Sequence, residues 1–301
     1  MRIFAKQLHP QISIYVSPIN LDPVDPALPI STPKSLSRDY AEAIGRYATL
    51  GIPQDTTALR NGLITHAEFL SHTRDILNTE RRLLTAALDR FKGGLLFFYF
   101  SSIDQNSHIL WGKYEAELLD YYRAVDAAIA DTRRREPTAQ IIVMSDHGFT
   151  TFDRAVNLNT WLRQEGLLAT DRAGKAWALG LNALYLSNNA DPNDIRRRLL
   201  ELRDPANGHP AITSVNLIKA TPENRATAPA MTIGYAPGYR ASWATGLGEV
   251  ASQVFEDNTD AWIADHCVDP TAVPGVLFTS KGVTLKAATI KDLSGEILKL
   301  Y

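Results

Sequence analysis

Three short stretches bring carboxylate and imidazole groups close together in this chain. Asp104 precedes His108 by four residues in FSSIDQNSHILW, Asp146-His147 closes the apolar run of IIVMSDHG, and Asp265-His266 lies in IADHCVDPTAVPGVLF. A D-x-x-x-H pair on a helix shares one face, so both side chains can hold one metal ion. An Asp and a His directly after an apolar strand are costly there unless paired or ligating. Each stretch has an ordinary reading too: a surface pairing for Asp104 and His108, a loop pair for Asp265 and His266. Taken together, at strand ends and in a loop before another apolar run, they point to a metal site. His9, His66, His72 and His209 have no acidic neighbour after a strand and read as surface or helix-face residues.

These groups need elements that deliver them to one place. Leu95–Phe100, LLFFYF, is unbroken in polarity and predicts a strand covered on both faces. Ile141–Met144 predicts a second covered strand. Between them, Leu118, Tyr122, Val125 and Ile129 form one helical stripe. Upstream, Thr65-His66-Ala67-Glu68 has capping-box spacing and predicts a long helix with Phe69, Ile76, Leu83, Leu84 and Leu88 on one face, stopping at Gly93-Gly94. A shorter helix is expected over 159–165. Strand, helix, strand, helix implies a parallel sheet with right-handed crossovers. In such sheets ligands bind beyond the carboxyl ends of the strands, so Asp104 and Asp146-His147 are expected at one crevice.

The remainder is less regular. The proline-rich stretch 20–34 predicts an extended surface loop. Residues 170–250 read as an irregular insertion, with a strand over 176–186, a helix over 194–203 and a loop at GYAPGYRASW. Val273–Thr279 predicts a late strand and Thr289–Tyr301 a closing helix. Arg240, in PGYR, stands near the motifs. It fits bidentate pairing with a phosphate or carboxylate, or a structural pairing with an acidic loop. Trp111, Trp161, Trp243 and Trp262 read as packing residues.

Bulk properties exclude several classes. The 301 residues are 45% hydrophobic, enough for a large core, and a net charge of −2 leaves no basic footprint for nucleic acid or membrane. No apolar run approaches the ~18 residues of a membrane span. The single cysteine, Cys267, excludes an internal disulfide and a cysteine-based zinc cluster. Absence of disulfides favours a cytoplasmic location.

FSSIDQNSHILW, IIVMSDHGFTTFDRAVNLNTWL, GYAPGYRASW and IADHCVDPTAVPGVLF, in that order, resemble the alkaline phosphatase superfamily, in its type I phosphodiesterase/nucleotide pyrophosphatase branch. Within that branch the nearest likeness is to the prokaryotic predicted phosphohydrolases and phosphomutases. The resemblance implies an alkaline-phosphatase-like α/β fold, a mostly parallel sheet with helices on both faces. It implies two divalent ions, zinc or in some branches manganese, and a phosphorylated small-molecule substrate. Asp104, His108 and His266 would hold one ion. Asp146 and His147 would hold the other, together with an N-terminal Asp and a Ser or Thr nucleophile. Asp265 would orient its neighbours.

The chain departs from the family at its N-terminal side. The family's nucleophile strand should be apolar and end in Asp, yet residues 1–35 resemble the end of an inserted subdomain. Asp22 sits among prolines with no suitable hydroxyl after it. The core, residues 36–301, is therefore expected to lack its N-terminal part and nucleophile, and the missing half would be a partner. The implied activity is metal-dependent phosphoester hydrolysis, incomplete in this chain alone; phosphomutase-type transfer and an inactive metal-binding fragment are the alternatives.

Overall fold

A computed structural model describes residues 3–168 and 174–300. Residues 170–173 of the expected irregular segment and Tyr301 of the expected closing helix lie outside the described residues. The chain forms two compact units, one of residues up to 139 with Asp260–Trp262, the other of Gln140–Thr259 with Ile263–Tyr301.

The first unit is mainly helical. A hairpin, β1 (Ile3–Gln7) and β2 (Ser13–Val16), precedes α1 (Leu36–Ile44), α2 (Thr56–Arg60), α3 (His66–Arg90), α4 (Ser102–Leu110) and α5 (Glu115–Arg135). Thr65 and Glu68 form the expected reciprocal cap, which satisfies amides that the first turn of α3 leaves without partners. Phe69, Leu70, Ile76, Leu77, Leu84 and Leu88 face inward, and the helix gives way to an extended Phe91 before Gly93. On α5 the buried aromatic is Tyr121, hydrogen-bonded to the Thr73 hydroxyl, whereas Tyr122 of the expected stripe is exposed.

Leu95–Phe100 corrects the expectation of a covered strand. The segment joins no ladder among the described residues. Leu96, Phe98 and Phe100 pack against Leu84, Leu88 and Ala128, while Leu95, Phe97 and Tyr99 point outward, Phe97 with 74% of its surface exposed. An unbroken apolar run thus covers one face only.

The second unit begins with β3 (Ile142–Met144) and β4 (Thr150–Val156), followed by α6 (Leu158–Gln164), β5 (Ala176–Ala178), β6 (Ala183–Leu186), α7 (Pro192–Leu200), β7 (Ile212–Leu217), β8 (Met231–Tyr235), β9 (Gly238–Ala241), α8 (Trp243–Gly246), β10 (Phe255–Asp257), β11 (Ala264–Asp265), β12 (Leu277–Thr279) and α9 (Ile290–Leu298). The expected strand over 176–186 is a hairpin of β5 and β6, and the expected loop at GYAPGYRASW contributes the end of β8 and all of β9. β5-β6-β8-β7 is an antiparallel sheet. Its inner face joins Leu158, Leu162, Ile195 and Leu199 of α6 and α7 in the largest apolar core.

β4 is flanked by β9 in parallel register, Ala155 opposite Arg240, and by β10 and β11 in antiparallel register. Among the described residues the expected mostly parallel sheet is not found. Among the described strands, seven of eight pairings are antiparallel. The physical reason lies in the crossover rule: a strand–helix–strand unit needs two ladder strands, and Leu95–Phe100 forms none. β3 instead pairs antiparallel with β12, Met144 opposite Leu277. Both members of that ribbon remain partly or well exposed. No described helix is long and apolar enough to cross a membrane.

Candidate metal centre

In the first unit α4 carries Asp104 and His108 one turn apart. His108 Nε2 lies 3.9 Å from Asp104 Oδ1, and Asp104 Oδ2 accepts from Gln105 Nε2 at 2.7 Å. The buried His108 ring stacks on Trp262, with centroids 3.8 Å apart and planes 25° apart. Trp262 itself packs on the core of α3, α4 and α5. The start of α4 is set by Glu80, whose Oε1 accepts from the Ser101 amide at 3.2 Å and its hydroxyl at 2.7 Å. Burial pushes the Glu80 carboxyl up, against the lowering effect of hydrogen bonds from Ser101 and Ser102. Asp22 lies in an ion pair with Arg46 at 3.1 Å, which explains its lowered pKa.

In the second unit β3 ends at Ser145-Asp146-His147-Gly148, and segment 273–276 holds this turn. The Ser145 amide donates to the Val276 carbonyl and the Gly148 amide to that of Val273, both at 2.9 Å. The Val276 amide returns a bond to Ser145 Oγ at 3.0 Å. Between them Gly275 approaches so closely that a Cβ there would stand 2.4 Å from the Ser145 carbonyl oxygen. His147 Nδ1 lies 3.1 Å from the Gly148 carbonyl. Nδ1–H donating to that oxygen leaves Nε2 as the lone-pair nitrogen, the arrangement usual in metal-bound histidines. Asp146 Oδ1 is 3.6 Å from that Nε2.

The His266 ring stacks on that of His147, with centroids 3.6 Å apart and planes within 12°. Phe149 stands edge-on to both, at 5.5 and 5.4 Å. Beside His266, Asp265 Oδ1 accepts from the amides of His266 at 2.8 Å and Cys267 at 2.9 Å, while Oδ2 accepts from Arg240 Nε. Arg240 Nη1 donates to the Ala241 carbonyl at 3.1 Å, and the guanidinium lies over Trp243 and Phe152 at 4.1 and 5.5 Å. Arg240 and Asp265 are each only 1% exposed. Arg240 thus pairs with Asp265, the carboxylate beside His266.

The structure therefore gathers Asp104 with His108, and Asp146 with His147 and His266. Histidine and carboxylate groups able to hold a metal ion are present among the described residues. Nitrogen and oxygen donors of this kind suit zinc and manganese, and the lone pair of His147 Nε2 fits that use. Sequence reasoning missed Phe149 and Gly275. The glycine in VPGVLF is a signal for close backbone approach; nothing in the sequence marks Phe149.

These features define an α/β protein with a candidate histidine–carboxylate metal centre. Residues 9–241 match the family of type I phosphodiesterase / nucleotide pyrophosphatase. The chain belongs to that family. The match takes in Asp104, His108, Asp146, His147 and Arg240 and stops before Asp265-His266. Among solved structures, the chain is similar to a phosphonoacetate hydrolase from Sinorhizobium meliloti 1021, in complex with phosphonoacetate, at 15% identity and a TM-score of 0.47. The likeness covers 71% of this chain and 52% of that one, so the chain spans about half the length of its solved relative. No curated protein matches.

Proposed function

We propose that this chain carries the metal-binding part of a phosphoester hydrolase acting on a phosphorylated small molecule. The observation that carries the reading is the strand-end Asp146-His147 pair with His266 stacked on it, within one unit of a chain of this family. Ligand roles follow the resemblance: Asp104, His108 and His266 for one ion, Asp146 and His147 for a second, zinc or manganese. When bound, the ions supply a Lewis acid that activates a hydroxyl nucleophile and stabilises charge at phosphorus. The chain's own residues orient the ligands. His147 keeps its Nδ1 proton on the Gly148 carbonyl, and Phe149 fills the space at the edges of both imidazoles.

The nucleophile and an N-terminal Asp ligand belong, in this reading, to polypeptide outside residues 1–301, and residues 1–35 to the end of an inserted subdomain. Two protein ligands hold zinc poorly against water, because tetrahedral sites use three or four. The chain alone is thus expected to bind one ion more tightly than the other and to turn over little substrate. The test is zinc and manganese titration against a chromophoric chelator, with turnover of bis(p-nitrophenyl) phosphate and analysis of free against transferred phosphate. No metal binding overturns the metal reading; two tight sites with efficient turnover overturn the incompleteness.

A further inference from the structure

Arg240 is a cation already engaged by a carboxylate of its own chain. It is buried, its Nε is committed to Asp265, its Nη1 to the Ala241 carbonyl, and its faces to Phe152 and Trp243. The carboxylate it meets has a second task. Asp265 Oδ1 gathers the amides of His266 and Cys267, a side-chain turn that fixes the backbone from which the His266 imidazole projects. Three donors thus converge on one carboxylate, two through Oδ1 and one through Oδ2.

We infer that Arg240 is a positioning residue: through Asp265 it sets the backbone turn that presents His266. The guanidinium reaches the turn from β9, across Phe152 of β4, while Asp265 ends β11 on the same strand. Two ladder partners of β4 are thereby cross-linked by one charge-assisted bond, which lends the turn the rigidity of the sheet. Without the guanidinium, Oδ2 would lose its charge-assisted donor and the carboxylate would hold its two amides less firmly. The buried negative charge would also lose the guanidinium that faces it. The role of His266 as a ligand rests on the proposed function; the positioning of its backbone does not.

The test uses the full chain with Arg240→Lys, which keeps the buried positive charge and so favours folding but loses the planar fork. Amide hydrogen exchange reads the turn directly. Protection of the His266 and Cys267 amides is expected to fall roughly 3- to 10-fold, the loss of one hydrogen bond of ordinary net strength, with amides of the β4–β9 ladder unchanged. Zinc affinity is expected to fall about 10- to 100-fold, as when a partner that orients a ligand is removed. A cycle with Asp265→Asn, read at the His266 and Cys267 amides, should be strongly non-additive, since Arg240 reaches those amides through that carboxylate. Unchanged protection at residues 266 and 267, an equal loss across the whole unit, or additive effects in the cycle each overturn the inference. An unmutated chain that binds no zinc overturns the metal reading alone, and the exchange measurement then still decides the role of Arg240.

Discussion

Replacing Gly275 with alanine tests how firmly the Asp146-His147 turn is held. Gly275 does not adopt the positive φ that penalises side chains, so the cost of an added methyl is steric. The new Cβ would stand 2.4 Å from the Ser145 carbonyl oxygen, with Asp146 backbone atoms at 3.1 and 3.2 Å, against an ordinary contact of 3.4 Å or more. Backbone must therefore part by about 1 Å, since neither partner is a flexible side chain. The segment is bonded to its neighbour on both sides of that contact, at 2.9 Å through the Ser145 and Gly148 amides and at 3.0 Å through the Val276 amide. Opening by ~1 Å carries all three past hydrogen-bonding distance. At about 1 kcal/mol each, with partial relaxation, the loss is about 2–3 kcal/mol, within the usual cost of overpacking. Native-state amide exchange at Ser145, Gly148 and Val276 measures it locally. Gly295→Ala, in α9 with open space around it, is the control, expected to stabilise by about 0.5–1 kcal/mol. Wild-type protection at those three amides in Gly275→Ala would refute the reasoning.

Other outcomes follow from single contacts. Thr65→Ala removes half of the reciprocal cap on α3 and is expected to cost about 1 kcal/mol, read as lost protection of the Glu68 amide. Burial raises the Asp269 carboxyl pKa, but the Ser214 hydroxyl beside it and hydrogen bonds from Thr271 and Thr213 prevail, holding it at about 2. A folded-state value below the ordinary one stabilises above about pH 4, here by about 2 kcal/mol, and the contribution disappears as pH falls towards 2. Asp269→Asn should flatten that acid limb in pH-dependent denaturation. Glu80 has the opposite sign: its raised carboxyl favours the fold below the ordinary Glu value, and the benefit is lost as pH rises through the folded-state value. Glu80→Gln should remove that slope; an unchanged slope would show that the charge of Glu80 is not what burial opposes.

Local signals were legible where the physics is local. The Thr65–Glu68 cap, the long α3, the short helix near 159–165 and the i, i+4 placement of Asp104 and His108 all follow from spacing within a few residues. Non-local pairing was not. Ile142–Met144 carries no mark that its partner is Leu277–Thr279, more than a hundred residues later, and that the pair is antiparallel. LLFFYF misled because polarity alone does not distinguish a doubly covered strand from an extended segment with one buried face. Arg240 was legible as important but not as buried, since its partner Asp265 is distant in sequence and meets it only once β9 and β11 flank β4.

That arrangement also answers how the turn with the proposed metal ligands Asp146 and His147 keeps its geometry without a deep parallel sheet beneath it. β3 is three residues long and pairs with one strand, and a two-stranded ribbon is marginal by itself. Precision at Asp146 and His147 must then come from the turn's own contacts: the bonds to Val273 and Val276, the close approach of Gly275, and the Gly148 carbonyl at the His147 ring. His266 is held differently, by a buried ion pair that fastens its turn to β4. The two imidazoles meet in stacking, yet each has its own support. Damage to one support should therefore displace one histidine and leave the backbone of the other protected, so Gly275→Ala and Arg240→Lys are expected to perturb separate sets of amides while lowering the same metal affinity.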